Sequence, residues 1–103
     1  MALKPFDLTV AERARSSKNF RNKLLEEATN ELINGNFQVA KVLLRHYVNA
    51  VISFERLAIE TNIHNKSLQR MLGANGNPTS TSLICVLQAI QRIEGIQIKV
   101  KII

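Results

Sequence analysis

Asn65, Lys66, Gln69 and Arg70 are spaced so that one face of a helix would carry all four. Their chemistry is hydrogen-bond recognition rather than proton transfer. An Asn or Gln amide can bond an adenine edge twice, and a Lys or Arg can reach guanine O6/N7 or a phosphate oxygen. Ser67 and His64 stand beside them and add a hydroxyl and an imidazole for phosphate or base. Further on, Gly76, Asn77 and Thr79 fall in a turn ahead of another helix, whose free N–H groups could hold a phosphate. Two of these readings have a plain competitor. Asn65 could serve only as a helix cap, and the turn around Asn77 and Thr79 could hold no ligand.

The same inventory argues against catalysis. Asp7 is the one aspartate, and neither His46 nor His64 has a Cys or carboxylate at metal-ligand spacing. No GxGxxG, GK[ST] or nucleophile-elbow pattern occurs. The expectation is a non-enzyme with no catalytic residue, metal or cofactor. Cys85 lies within an apolar helical pattern and reads as a buried structural thiol.

A polar face of this kind needs a helix held from behind. In the stretch FERLAIETNIHNKSLQRML, residues 54–72, Leu57 and Ala58 mark the inner face of a first short helix. The small Ala lets a second helix cross closely. Asn62 falls where the turn needs a left-handed backbone, which Asn tolerates better than most residues. Ile63 plugs the turn, and Leu68 and Met71 point the second helix inward. Ser53 and Asn65 are candidate caps for the two helices. A helix-turn-helix over about residues 53–72 follows, a motif that sets its second helix in a DNA major groove.

Around the motif, Gly35, Gly73 and Gly95 each follow a helical pattern and can end a helix in the left-handed conformation. The N-terminal region, 8–51, reads as three helices. The first covers about 8–15. The second runs from a cap at Ser16 or Ser17 to residue 34, with Phe20, Leu24, Leu25, Ala28 and Leu32 inward. The third spans 37–51, started by Asn36, with Val39, Val42, Leu43 and Tyr47 inward. A sixth helix, 83–94, is capped by Thr79 or Ser80 and buries Leu83, Val86, Leu87, Ile90 and Ile93.

From residue 96 the pattern changes to alternation. Ile96, Ile98, Val100 and Ile102 share one face, as in a half-buried strand over 96–102. With no second strand in the chain, the expected mate is the same strand of a second copy, giving a homodimer. The rival is a strand that joins a partner protein's sheet.

The 103 residues suit a single domain, 1–103. The net charge is +6 and uneven: residues 1–40 hold six Lys/Arg and five Asp/Glu, whereas 41–103 hold eight and three. Residues 61–93 contain no acid at all, the footprint expected for a polyanion partner. No apolar run nears the roughly 20 residues of a membrane span, the N-terminus lacks a signal-peptide pattern, and there is one cysteine. These features are the basis for expecting a cytoplasmic protein with no membrane association.

From Ser53 to Val100 the chain resembles the lambda-repressor-like helix-turn-helix family, and more narrowly the addiction-module antidotes of the HigA type. The residues that carry this are LAIETNIHNKSLQRML, then GNPTSTSLICVLQAI, with Pro5-Phe6-Asp7 near the start. The resemblance implies a mainly α bundle of about six helices, here with one C-terminal β-strand. It also implies binding to the protein's own promoter and capture of a small basic ribonuclease toxin of the RelE/HigB type. Such antidotes often cover the toxin with acidic segments. The nearest set here, Glu26, Glu27 and Glu31, reads as a solvated helix face.

Three functions remain in view. The first is a dimeric, sequence-specific regulator of double-stranded DNA that represses by occupying an operator. The second is an antitoxin that neutralises its toxin and autoregulates. The third is a fold of this class that serves only as a scaffold.

Overall fold

The computed structural model describes residues 5–103, with side chains from Thr9 onward. The side chains of Pro5, Phe6 and Asp7, part of the resemblance, lie outside those described. The fold is mainly α. Its helices are α1 (Pro5–Ser16), α2 (Lys18–Ile33), α3 (Phe37–Tyr47), α4 (Phe54–Thr61), α5 (Asn65–Met71) and α6 (Ser80–Glu94). Between α3 and α4 the chain makes a π-turn over Val48–Ile52, so the expected helix 37–51 is an α-helix that widens in its last turn.

Local chemistry sets most boundaries. The Ser17 hydroxyl accepts from the Phe20 N–H and starts α2, and Thr79 does the same for α6 through the Ser82 N–H. Gly35 and Gly95 take positive φ after α2 and α6. Asn36 precedes α3 but makes no capping bond; its amide donates instead to Glu31. Gly73 is not left-handed, contrary to the expectation from its position after α5.

The core lies where α2, α3 and the π-turn meet the three later helices. Leu25, Leu44, Tyr47, Val48, Leu57, Leu68, Leu72, Val86 and Ile90 are essentially sealed from solvent. On α2 the expected stripe holds, with Leu24, Leu25 and Ala28 buried and Phe20 and Leu32 packed at its edges. The Arg13 guanidinium sits 4.5 Å above the Phe20 ring and ties α1 to α2.

Two sequence expectations fail here. Val39 and Val42 are exposed, because α3 turns Ala40, Lys41, Leu44 and Tyr47 inward. Ile33 and Phe37, on α2 and α3, are exposed as well.

The strand over 96–102 is also absent: the segment has no regular structure. A strand needs a neighbour to bond, and this segment is instead bonded to one residue of α6, through its backbone and its side chain. The Gln91 carbonyl accepts from the Ile96 N–H at 3.1 Å, and its amide oxygen accepts from the Ile98 N–H at 2.7 Å. Ile96 and Ile98 pack on the core, whereas Val100 and Ile102 stand in solvent. The four residues expected to form one dimerisation face therefore divide into two pairs with different fates.

A partly buried polar cluster joins α2 to α6 beside Tyr47. Arg21 of α2 pairs with Glu94 of α6 at 3.3 Å, and the Tyr47 hydroxyl lies beside them. Burial, and then the negative charge of Glu94, push the Tyr47 phenol up from 10.0 to about 12.

The fold has two measurable consequences. The folded state holds the Tyr47 proton more tightly than the unfolded chain does. Its contribution is therefore complete below pH 10 and disappears as the pH rises through about 12. Urea melts at pH 9 and 12 should show wild type losing about 2–3 kcal/mol more than Tyr47→Phe, the equivalent of two pKa units. Asn62 holds φ 58° and ψ 29° at the end of α4. Asn62→Gly should melt within about 1 kcal/mol of wild type, whereas Asn62→Val should lose about 1–3 kcal/mol.

Candidate nucleic-acid interface

The α4–α5 pair is built as its sequence suggests. Ser53 caps α4 by accepting from the Arg56 N–H. Its own backbone sits at φ 98° and ψ 149°, a region costly for any side chain. At the other end the Thr61 hydroxyl donates to the Leu57 carbonyl and accepts from the Ile63 N–H, so one side chain finishes the helix and steers the turn. Left-handed Asn62 then reverses the chain. Leu68 and Leu72 bury the inner edge of α5 against Leu57, with Ala58, Ile63 and Met71 packed alongside.

Lys66, Gln69 and Arg70 are consequently exposed along the outer face of α5. With residues 73–76 they line an open depression of about 700 Å³. Asn65 and Gln69 line a second, of about 480 Å³, with Arg45, Asn49, Ser53, Phe54 and Glu55. Gln69 is common to both and is held in place, because its amide donates to the Asn65 side-chain oxygen at 2.5 Å.

The structure changes the role of two residues. Asn65 does not cap α5. His64 occupies the cap position, and its Nδ1 accepts from the Lys66 N–H at 3.2 Å. Asn65 is thus the first helical residue, its oxygen is committed to Gln69, and only its amide N–H groups remain for another partner. His64 is exposed, with one ring nitrogen occupied by capping.

Ser67 is half-buried and borders neither depression. Asn77 and Thr79 are exposed beyond the turn, and the Thr79 hydroxyl is engaged with both the backbone and the hydroxyl of Ser82.

Three features escape a reading of the sequence alone. Lys41 and Arg45, one turn apart on α3, reach across to the end of α5. Lys41 Nζ donates to the Gly76 carbonyl at 2.5 Å, and an Arg45 guanidinium nitrogen donates to the Leu72 carbonyl at 2.8 Å. The i, i+4 spacing of two cations could have signalled this, had Lys41 been placed on the inner face. The third is Glu55, which puts a carboxylate at the rim of the second depression, outside the acid-free window.

Gly76 is required by packing rather than by φ. A Cβ there would collide with the carbonyl oxygens of Arg70 and Met71, so the turn folds directly onto the last turn of α5. Its N–H donates to the Gly73 carbonyl at 3.1 Å, closing the loop.

Among the described residues no group of three or more His, Cys, Asp or Glu is placed to hold a metal, and no helix is long and apolar enough to cross a membrane. The chain matches no protein-family model, no curated protein and no solved structure.

Gly76→Ala should therefore be disproportionately damaging for a partly exposed turn residue. The expected loss is at least about 2 kcal/mol, the scale of an overpacked site that cannot relax. Gly35→Ala, which meets no neighbour but keeps a positive φ, should lose only about 1 kcal/mol. Equilibrium denaturation of the two variants provides the comparison.

Proposed function

We propose that this chain is a sequence-specific DNA-binding regulator that acts as a dimer, with α5 as its reading helix. The observation that carries this reading is the division of α5. Leu68 is sealed into the core, while Lys66, Gln69 and Arg70 stand exposed on the opposite side. A helix presented in this way fits the major groove, where amide and cationic side chains discriminate base pairs.

Charge supports the same assignment. Residues 61–93 carry Lys66, Arg70 and Arg92 and no acid. Arg92 is engaged with Glu60 at 2.8 Å, which leaves Lys66 and Arg70 as the cations of the reading face. In the bound state the Asn65–Gln69 hydrogen bond would orient the Gln69 amide before it meets a base, reducing the ordering that binding must impose.

The action would be steric. A dimer seated on a two-fold operator, with its two α5 helices about 34 Å apart, would block the polymerase with no catalytic step or cofactor. The strand over 96–102, expected to pair two copies, is not formed, so the dimer is proposed from the two-fold geometry of helix-turn-helix operators alone. A cytoplasmic location would accompany such a role.

Selection of bound sequences from a random duplex library, followed by titration, tests the proposal. Replacing both Lys66 and Arg70 by Ala should weaken binding to the selected site by about 1–3 kcal/mol for each side chain that reads a base, with preference relaxed at the corresponding positions. Where a side chain meets only phosphate, the salt slope should fall by about 1 and sequence preference should persist. Unchanged binding by the double variant would remove α5 as the reading element.

A further inference from the structure

We propose that Lys41 and Arg45 are positioning residues: together they clamp the C-terminal end of α5 and the turn after it onto α3, and so fix how the reading face is presented. The inference rests on the DNA-binding reading for its functional consequence, and on the geometry alone for the clamp.

The need for a clamp comes from the length of α5. It has seven residues, too few for a helix to persist by its own backbone bonds. Its start is tied by His64 and the Asn62 turn, and its middle by Leu68. The far end has the reverse problem: its last carbonyls have no partner within the helix, and their dipoles make that end partly negative.

Cationic donors suit such an end, and α3 supplies two. Arg45 takes the Leu72 carbonyl directly after the helix. Lys41, one turn earlier on α3, takes the carbonyl of Gly76. Because Gly76 is itself packed against the backbone of Arg70 and Met71, fixing its carbonyl also fixes the last turn of α5.

Lys41 can act only through this backbone. It is 3% exposed, the one charged residue buried among the described residues, so its ammonium is not available to a phosphate. Arg45 is half-buried and borders the depression formed by Asn65 and Gln69. The two cations therefore support the reading face from beneath, while Lys66 and Arg70 stand on it.

Amide hydrogen exchange on the full chain tests the clamp without DNA. The reporters are the N–H groups of Gly73 and Gly76, bonded to the Arg70 and Gly73 carbonyls. In Lys41→Met they should exchange at least tenfold faster, while core amides of α2 and α6 keep their rates. Arg45→Met reads the same amides should Lys41→Met not fold. Arg92→Met, which removes the exposed pair with Glu60, should leave them unchanged.

On a selected operator, Lys41→Met should bind at least tenfold more weakly with an unaltered salt slope, as expected for a cation that meets no phosphate. A reduced slope would overturn the positioning role, and so would full affinity alongside fast reporter exchange. Unchanged exchange of Gly73 and Gly76 in a folded variant would overturn the clamp itself. If the wild-type chain selects no DNA sequence, the proposed function and the role in binding both fail. The exchange rates still decide whether the clamp exists.

Discussion

A helix of seven residues has almost no stability of its own, and this is the constraint on which the rest of the structure depends. Nucleation takes more from such a segment than its few internal hydrogen bonds return. Every turn of α5 must therefore be held by something outside it. Leu68 and Leu72 supply the apolar anchor against Leu57, and α6 lies beyond with Val86 and Ile90. Behind these, α2 and α3 form the larger support, with Leu25, Leu44, Tyr47 and Val48 sealed at its centre. The polar outer face is sustainable only because the inner edge is so completely buried.

Parts of this were legible in the residues and parts were not, for reasons that differ. The α4–α5 pair was readable because its turn makes a demand few residues meet. Asn62 satisfies it at φ 58°, and Ile63 and Leu68 fall where that turn puts them. On α3 the pattern points correctly to Leu43 and Tyr47 but not to Val39 and Val42. Val39 and Val42 look like the buried stripe, yet Ala40 and Leu44 are inside, and with them Lys41. Hydropathy counts a lysine as outward, but a long alkyl stem can lie in the core while its ammonium meets a backbone carbonyl. That partner, Gly76, is thirty-five residues away and invisible to any local pattern.

The C-terminal segment misled in another way. Alternation predicts which side chains share a face, and Ile96 and Ile98 do pack inward while Gln97 and Lys99 face solvent. Alternation does not predict a hydrogen-bonded neighbour, and here the Ile98 N–H goes to the Gln91 side chain. At the start of α5 the ambiguity was between adjacent residues, both able to cap. His64 took the position, which released the Asn65 side chain to pair with Gln69 one turn along. The site's outward residues were thus readable singly, but their coupling to one another and to α3 was not.

The π-turn at Val48–Ile52 acts on the molecule as a phase shifter. The Ser53 N–H reaches back five residues to the Val48 carbonyl at 2.7 Å, where an α-helical bond would reach back four. One residue in a regular helix corresponds to about 100° of rotation, so the wide turn resets which side chains face the core over the last five residues before the helix ends. Upstream of it the buried side chains follow the α-helical spacing of Ala40, Leu44 and Tyr47; within it they become Val48, Ala50 and Ile52. The strained backbone of Ser53 marks where the two phases are reconciled and the chain leaves for α4. The segment thus carries three more buried side chains past the end of α3 before Ser53 turns the chain away.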